Sequence, residues 1–414
     1  MQLHQQAASA KSAAVALATA GTAQKNIALA AIAAALDANR ATILAANEKD
    51  IAAAQESGMA SAMLDRLTLT DARISGMISG VEDVIALDDP VGAFLHMSKR
   101  PNGLVIGRKR VPLGVVAIIY ESRPNVTVDA AALCLKAGNA AILRGGKEAI
   151  HTNLALAQLM RDALAETALP EDAVHLISDT SRESAVTLMG LTEYIDVLIP
   201  RGGAGLIRSV VENAKVPVIE TGVGNCHVYI DADADLDMGA AIIGNAKCSR
   251  PSVCNAAETL LVHSAVAIQF LPKAAALLNH YSVQLRGDDE TQRILGDCVI
   301  PATEEDYDTE FLDYILAVKV VDSIDEAIAH IRRHGSGHSE CIVTENYTNA
   351  QRFLDEVDAA AVYVNASTRF TDGGMFGLGA EIGISTQKMH ARGPMGLQEL
   401  TSTKFVVYGN GQIR

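Results

Sequence analysis

The residues best suited to covalent chemistry lie between Asn245 and Asn255, in the string Asn-Ala-Lys-Cys-Ser-Arg-Pro-Ser-Val-Cys-Asn. Its cationic side chains, Lys247 and Arg250, favour the thiolate form of a nearby cysteine. Because the thiolate is the nucleophilic form, the string predicts covalent catalysis. Cys254 is the better candidate, since it lies where a polar loop meets the apolar run that begins at Thr259.

Free cysteine is also among the most buried residue types, so each thiol could serve only as a small apolar side chain. We favour that structural role for Cys248 and the nucleophile for Cys254. The cysteines of the chain are Cys134, Cys226, Cys248, Cys254, Cys298 and Cys341. Because they are scattered without short paired spacings, we expect free thiols and a reducing compartment.

The composition of the chain limits the kinds of function that it can have. With 414 residues, 49% of them hydrophobic and 20% charged, it is long enough for two or three globular domains. A formal charge of −15 argues against nucleic acid or an anionic membrane as a partner. The first residues lack a signal-peptide pattern and no apolar run reaches the ~20 residues of a membrane span. We therefore expect a cytoplasmic protein with a pocket.

The first part of the chain predicts helices followed by a hairpin. Residues 1 to about 90 are rich in alanine, and Leu29, Ile32 and Leu36 recur on one helical face. Asn102-Gly103, between two alternating runs in residues 95–112, is a strong hairpin signal. A two-stranded hairpin is barely stable alone, so we expect it to pair with a further element, such as one from another subunit.

Strands and helices then alternate in two successive regions. The first region has predicted strands at 115–120, 140–143, 174–177, 197–199 and 216–219, with helices at 128–137, 151–165, 181–189 and 204–214. The second has predicted strands at 228–230, 259–262, 317–321, 341–343 and 361–364, with helices at 265–278, 324–334 and 349–356. Continuous apolar strands separated by helices predict parallel sheets covered on both faces, an α/β architecture.

The order of several motifs resembles that of the aldehyde dehydrogenase superfamily over almost the whole chain. They are Pro112–Val115, Gly138–Arg144, Glu220–Gly224, the cysteine string, Glu310-Phe311 and a late glycine-rich loop. Three longer strings resemble the gamma-glutamyl phosphate reductase family within it: Tyr120–Pro124, Arg250–Thr259, and Gly373–Gly383 with His390–Pro394. The resemblance implies a Rossmann-type cofactor domain, an α/β catalytic domain and a small oligomerisation hairpin.

The activity that the resemblance implies is NADPH-dependent reduction of L-glutamyl 5-phosphate to L-glutamate 5-semialdehyde, with release of phosphate, in L-proline biosynthesis. An acyl phosphate has a good leaving group, so the Cys254 thiolate can expel phosphate and form a thioester. Hydride transfer and collapse then give the aldehyde. Each tetrahedral state carries an oxyanion, for which the backbone N–H of Cys254 is one donor.

The side-chain donor to that oxyanion and the role of one glutamate differ from the superfamily pattern. Ser122 stands where hydrolytic relatives have an asparagine, so the candidates for the second donor are Ser122, Asn245 and Asn139. Glu220 matches the general base that activates water in hydrolytic relatives. A phosphate-releasing enzyme has no such water step, so a structural role for Glu220 competes equally with a catalytic one.

The resemblance implies two glycine-rich cofactor turns and one ribose ligand. The first turn, which contacts the adenosine phosphate, consists of Arg144, Gly145, Gly146 and Lys147. Arg144 stands where relatives have a ribose-binding lysine. The local positive charge suits the 2′-phosphate of NADPH and so favours NADPH over NADH. The second turn consists of Arg201, Gly202 and Gly203. Its implied role is to contact the pyrophosphate, and the alternative is a tight turn without a cofactor role. Glu310 matches a carboxylate on the nicotinamide ribose, and its alternative is a solvated acid.

The substrate of the implied reaction carries a carboxylate and a phosphate, which bidentate arginines bind well. The candidates are Arg123, Arg250, Arg369 and Arg392, and each has a surface ion pair as its alternative. His330, His334 and His338 recur at four-residue intervals, but Gly335 and Gly337 interrupt the helix that would align them. We therefore predict no metal site.

The predicted domains follow the order of the motifs. They are a cofactor-binding domain (1–94 and 113–219), an oligomerisation hairpin (95–112), a catalytic domain (220–398) and a C-terminal oligomerisation strand (399–414). We expect a homo-oligomer, and binding of the glutamate kinase that makes the substrate stays open. Two other hypotheses are a hydrolytic aldehyde dehydrogenase that uses Glu220 and water, and a non-catalytic binding or assembly subunit.

Overall fold

The computed structural model describes residues 2–59 and 61–414 and divides into two compact units. The first unit comprises Met1–Thr221, Gly377–Gly383 and Met395–Arg414. The second comprises Gly222–Phe376 and Ile384–Pro394. The break after Thr221 lies two residues from the predicted domain boundary, whereas 377–383 and 395–398, which we predicted in the catalytic domain, cluster with the first unit.

The α-helices are short to medium in length. They are α1 Gln2–Leu17, α2 Thr22–Ala38, α3 Arg40–Glu56, α4 Ser61–Leu67, α5 Asp71–Ala86, α6 Asn125–Lys136, α7 Ile150–Ala165, α8 Arg182–Met189, α9 Ala204–Asn213, α10 Leu236–Cys248, α11 Ser264–Asn279, α12 Asp289–Leu295, α13 Glu304–Tyr307, α14 Ile324–His334 and α15 Tyr347–Glu356. In the described part of the chain no single helix could span a membrane; by length and composition alone the α2–α3 pair, bent by 70°, passes the same test.

The strands form four sheets. They are β1 Phe94–Lys99, β2 Val105–Pro112, β3 Val115–Tyr120, β4 Ala140–Arg144, β5 Val174–Leu176, β6 Val197–Arg201, β7 Cys226–Ile230, β8 Ala257–His263, β9 Gln284–Gly287, β10 Val299–Pro301, β11 Ile315–Val321, β12 Ser339–Val343, β13 Ala361–Val364, β14 Ile384–Ser385, β15 Gly393–Pro394 and β16 Thr401–Tyr408.

The first unit contains a parallel sheet in the order β5-β4-β3-β6, which confirms the predicted architecture. Every residue of β3 is buried, as a strand covered on both faces requires. The predicted strand at 216–219 is wrong, because only an isolated bridge between Leu198 and Val218 forms there. Pro217 has no N–H to donate, so this segment cannot extend the ladder.

The predicted hairpin is confirmed, and its third strand comes from the end of the chain. β1 and β2 are antiparallel, and Gly103 in their turn has a φ of 89°. β16 pairs antiparallel with β2 along its whole length, from Thr401 opposite Pro112 to Tyr408 opposite Val105. The hairpin therefore completes a three-stranded sheet with its own C-terminal segment.

The second unit is built on a parallel sheet in the order β10-β9-β11-β8-β7-β12-β13. One core packs around Phe270 of α11 and includes the buried side of α10. The other packs around Phe353 of α15 and the apolar side of α14. Because the strands are parallel, the segments that lead into β7, β8 and β11 lie along one edge of the sheet.

Candidate active site

Cys254 lies on the turn between α10 and β8. The sequence stretch Asn245–Asn255 is not one loop, because its first four residues form the last turn of α10. Asp235 caps that helix by accepting from the backbone N–H groups of Asp237 and Met238. The two cysteines differ in exposure, since Cys254 is half-buried and Cys248 is buried, and the choice of Cys254 as nucleophile stays a prediction.

Burial raises the pKa of the Cys248 thiol, and the neighbouring ammonium of Lys247 lowers it in part. Cys248 also belongs to the apolar core of the second unit. These observations fit the small-hydrophobe role that we favoured for Cys248. Of the two residues, only Cys254 is partly exposed.

The glycine motif before β7 supports the backbone of Cys254. A Cβ atom on Gly224 would lie 1.5 Å from the carbonyl oxygen of Cys254, so a side chain has no room there. The thiol of Cys226 donates to the same oxygen at 3.2 Å. Burial raises the pKa of Cys226 well above its ordinary value, which keeps this thiol protonated and able to donate. Sequence reasoning missed this support because the two segments are far apart in the chain.

Two of the predicted substrate arginines lie beside this turn. The Arg369 guanidinium donates to the Asn255 side chain and, through Nε at 3.0 Å, to the hydroxyl of Ser249. Burial and the charge of Arg250 lower the pKa of Arg369, and Cys254 acts in the opposite direction. Arg250, Arg369 and Cys254 are therefore close enough to interact electrostatically.

The other two predicted arginines are placed elsewhere. Arg392 is exposed and forms an ion pair of 2.7 Å with Asp358. Hydrogen bonds from Lys388 and Arg392 lower the pKa of Asp358. Arg123 is half-buried in the first unit, between β3 and α6. Their roles as substrate ligands stay predictions.

The candidate oxyanion donors differ in their surroundings. Ser122 is buried with a left-handed φ of 45°, and its N–H and hydroxyl donate to Glu148 at 2.7 and 2.9 Å. Asn245 is exposed on α10. Asn139 is a structural residue, because its amide accepts from Gly114 N–H at 2.9 Å and donates to the Leu400 carbonyl at 2.8 Å. Glu220 is half-buried at the end of the first unit.

The first glycine-rich turn follows β4 and is held close to its neighbours. Arg144 Nη2 donates to the carbonyls of Thr180 at 2.6 Å and Ser181 at 3.0 Å. Its Nε is buried without a hydrogen-bond partner in the described part of the chain. A Cβ atom would lie 2.1 Å from Asn153 if placed on Gly145 and 2.1 Å from Glu148 if placed on Gly146. Close approach to buried Asn153 favours glycine at position 145, whereas the Glu148 carboxylate beside Gly146 can move.

The second glycine-rich turn opens α9, where helix geometry favours an anion. Gly203 is the N-cap of α9, and its N–H donates to Glu121 at 3.1 Å. A Cβ atom on Gly202 would lie 2.4 Å from the same carboxylate oxygen. A carboxylate of the chain itself thus occupies the end of this helix. Glu121 was not among the predicted site residues.

Glu310 lies in the segment that leads into β11. Its Oε1 accepts from Gly224 N–H at 2.8 Å, which connects the segment to the glycine motif under Cys254. The helix α14 ends at His334, as the glycines that follow it predict. The rings of His330 and His334 on α14 are tilted by 40° with centroids 4.5 Å apart, and His338 instead contacts the Ser339 hydroxyl at 2.8 Å. Among the described residues, no three His, Cys, Asp or Glu side chains lie close enough together to hold a metal ion.

Comparison with known proteins places this arrangement in a family. The model of the aldehyde dehydrogenase family matches residues 1–296 and 300–406. The chain belongs to the aldehyde dehydrogenase family. It is 64% identical to the gamma-glutamyl phosphate reductase of Carboxydothermus hydrogenoformans over 98% of this chain and 97% of that protein. It is 60% identical to the enzyme of the same name from Clostridium perfringens, with the same coverage.

Solved structures agree with the family. The gamma-glutamyl phosphate reductase of Thermotoga maritima superposes with a TM-score of 0.97 and 52% identity over 100% of both chains. An acetylating aldehyde dehydrogenase from Geobacillus thermoglucosidasius has a TM-score of 0.73 at 17% identity, over 100% of this chain and 97% of that one, and shows the fold alone. The predicted aldehyde dehydrogenase-like α/β fold is confirmed.

Proposed function

We propose that this aldehyde dehydrogenase family member reduces L-glutamyl 5-phosphate to L-glutamate 5-semialdehyde and releases phosphate, with NADPH as reductant, in L-proline biosynthesis. The observation that carries the proposal is the Cys254 turn, where a half-buried cysteine lies near two arginines and its carbonyl packs against a glycine. The names of the relatives at 64% and 60% identity support the substrate.

Cys254 is the nucleophile of the proposed reaction. Its thiolate attacks the C5 carbonyl carbon, the carbon–oxygen bond to phosphate breaks, and a thioester forms. Bound NADPH supplies a hydride for reduction of that carbonyl. The backbone N–H of Cys254 stabilises the oxyanion, and the thiolate then leaves as the aldehyde forms. Arg250 and Arg369 hold the anionic groups of the substrate, because guanidinium groups bind phosphate and carboxylate in a bidentate manner.

The residues of the first glycine-rich turn fit a dinucleotide. The buried Arg144 Nε has a hydrogen-bond donor to spare, and a Cβ atom on Gly145 would overlap buried Asn153. In the proposal Arg144 and Lys147 contact the adenosine phosphate, Arg201 with the turn of α9 contacts the pyrophosphate, and Glu310 contacts the nicotinamide ribose. The positive charge of Arg144 and Lys147 favours NADPH over NADH.

The second oxyanion donor and the role of Glu220 are separable by substitution. Alanine in place of the true donor lowers kcat about 10²- to 10³-fold, the usual effect of losing one such group. We compare Ser122→Ala, whose hydroxyl already donates to Glu148, with Asn245→Ala on α10. Glu220→Gln leaves a phosphate-releasing enzyme active, whereas it abolishes turnover if Glu220 activates water.

The experiment that tests the proposal is reduction of NADP⁺ with glutamate 5-semialdehyde, run with and without phosphate. We compare the unaltered chain with Cys254→Ala and with Cys248→Ala as the matched control. The expected activity requires phosphate and disappears only in Cys254→Ala. Activity without phosphate would support the hydrolytic hypothesis. Loss of activity in Cys248→Ala alone would mean that Cys248, and not Cys254, is the nucleophile. A chain that binds NADPH but stays inert to thiol reagents would support a non-catalytic role.

We also propose that the three-stranded sheet mediates self-association. Its outer strands expose large apolar side chains, among them Phe94 and Leu95 of β1 and Phe405 and Val407 of β16. Exposed apolar clusters of this kind favour protein contacts.

We further propose that the chain associates in the cytoplasm with the kinase that forms the acyl phosphate. Such association would protect the acyl phosphate from water. Co-purification of the two proteins tests it.

A further inference from the structure

A fully buried ion pair spans the turn that carries Cys254. Lys247, in the last turn of α10, and Glu258, the second residue of β8, are joined by a bond of 2.6 Å between Nζ and Oε2. Both side chains are 0% exposed. The pair therefore connects the chain just before the turn with the chain just after it.

The second oxygen of Glu258 reaches a different segment. Oε1 accepts from the backbone N–H of Leu312 at 3.1 Å. Leu312 has a left-handed φ of 56°, a conformation that is unfavourable for a bulky L-residue. Such a residue persists where its surroundings hold it, and the bond from Glu258 is one such restraint.

The segment that Glu258 restrains carries Glu310, two residues before Leu312. Glu310 itself is bonded to Gly224, which packs on the carbonyl of Cys254. A closed set of contacts thus runs from the Cys254 turn through Glu258 to the Glu310 segment and back through Gly224. The Phe311 ring between them lies 5.1 Å from the guanidinium carbon of Arg286, which restrains the segment from its other side.

Stability alone does not account for this pair. A buried ion pair loses the hydration of both charges, and apolar replacements of similar volume are often equally stable. Burial raises the pKa of Glu258 to about 7 and lowers that of Lys247, while their mutual attraction acts against both changes. A buried polar network instead fixes geometry, because each group left without its partner is costly.

We propose that Glu258, held by Lys247, is a positioning residue that fixes the Glu310 segment and thereby determines the affinity for NADPH. The inference rests on the proposed function, in which Glu310 contacts the nicotinamide ribose. It assigns a role to two buried residues that do not touch substrate or cofactor.

Two double variants isolate the bond to Leu312. Lys247→Met with Glu258→Gln and Lys247→Met with Glu258→Leu both remove the buried charges, but only glutamine keeps an oxygen that accepts from Leu312 N–H. We expect the glutamine variant to bind NADPH nearly as the unaltered chain does, and the leucine variant to bind about tenfold more weakly. Fluorescence titration with NADPH measures both, and iodoacetamide labelling of Cys254 should be equal in the two double variants.

A buried ion pair in the first unit provides the control for lost stability. Lys25 and Asp89 are joined at 2.5 Å with side-chain exposures of 0% and 7%. Lys25→Met should lower the melting temperature and leave NADPH affinity unchanged. Equal affinity in the two double variants, or an equal loss in Lys25→Met, would overturn the positioning role. An unaltered chain that neither binds NADPH nor shows phosphate-dependent activity would overturn the proposed function and this inference with it.

Discussion

At the scale of single residues, the candidate site depends on groups whose importance is visible only in three dimensions. Gly224 belongs to a motif that the sequence displays, yet its contact with the Cys254 carbonyl joins residues from different elements. Glu258 lies four residues after Cys254 in the sequence, where its pattern is typical of a solvated acid before a strand. Its contact with Leu312 crosses 54 positions of the chain, which no local pattern encodes.

Gly224→Ala should abolish most of the activity without unfolding the chain. The added Cβ would overlap the Cys254 carbonyl, so the backbone that carries the nucleophile must move. A displacement of about 1 Å at a reacting group reduces the rate about 10²-fold. Steady-state kinetics with circular dichroism measures the effect. Gly76→Ala, on a helix position with no atom within 4 Å, is the control and should behave as the unaltered chain does.

His330→Phe should make the chain more resistant to acid. Burial first, and then nearby His227, lower the pKa of His330 to about 2. The unfolded chain binds a proton at this histidine below about pH 6.5 and the folded chain does not, so stability is present above that pH and is lost as the pH falls. Between pH 7 and 5 the loss is on the order of 2 kcal/mol.

Urea unfolding at the two pH values measures this contribution. The phenylalanine variant should show a smaller loss than the unaltered chain, because its ring keeps the packing against Tyr307 and cannot be protonated. His280→Asn, at an exposed position, serves as the control and should keep the pH dependence of the unaltered chain. An identical dependence in His330→Phe would contradict the explanation.

At the scale of elements, the strands were the most predictable part of the chain. β3 is buried along its whole length and is a continuous apolar run. β7 and β12 are equally buried, but their first residues include His227, Ser339 and Glu340, and the prediction covered only the apolar residues that follow. The helix α10 was missed, because its apolar residues run directly into the polar string around Cys254. The segment at 216–219 was predicted as a strand from its valines, but only the isolated bridge between Leu198 and Val218 forms beside Pro217, which lacks an N–H. Local composition therefore predicts elements best where both faces are buried.

Glu121→Gln should increase the affinity for NADPH. The Glu121 carboxylate accepts from the N-terminal N–H of α9 and competes there with the diphosphate of the proposed cofactor. Removal of one such charge at a helix terminus is worth about 0.3–1 kcal/mol, or roughly a two- to fivefold change in the dissociation constant. Titration at low and high salt measures it, and the difference should shrink as salt is added.

The control for this variant is Glu183→Gln, which removes an exposed carboxylate from the first turn of another helix, α8. It should leave the dissociation constant for NADPH unchanged. A similar increase in both variants would mean that the net charge of the protein, and not the occupied end of α9, governs cofactor binding.

At the scale of the whole molecule, Phe405→Asp should weaken self-association. Phe405 is 70% exposed on β16, and a charge at this position opposes burial against another subunit. Sedimentation velocity should show smaller species with unchanged circular dichroism. Ile268→Asp, which alters a side chain that is 66% exposed on α11, should leave the assembly intact. Dissociation by both substitutions, or by neither, would contradict a specific role for the sheet.

The pairing of β2 with β16 has a consequence for the synthesis of the protein. Arg108 and Thr403, which meet across these strands, are 295 residues apart in the chain. At the usual speed of translation, β2 leaves the ribosome roughly 15 to 60 s before its partner exists. During that interval its open edge could recruit strands of other nascent chains. The consecutive cations Arg108, Lys109 and Arg110 oppose such pairing, so β2 is protected until β16 completes the sheet.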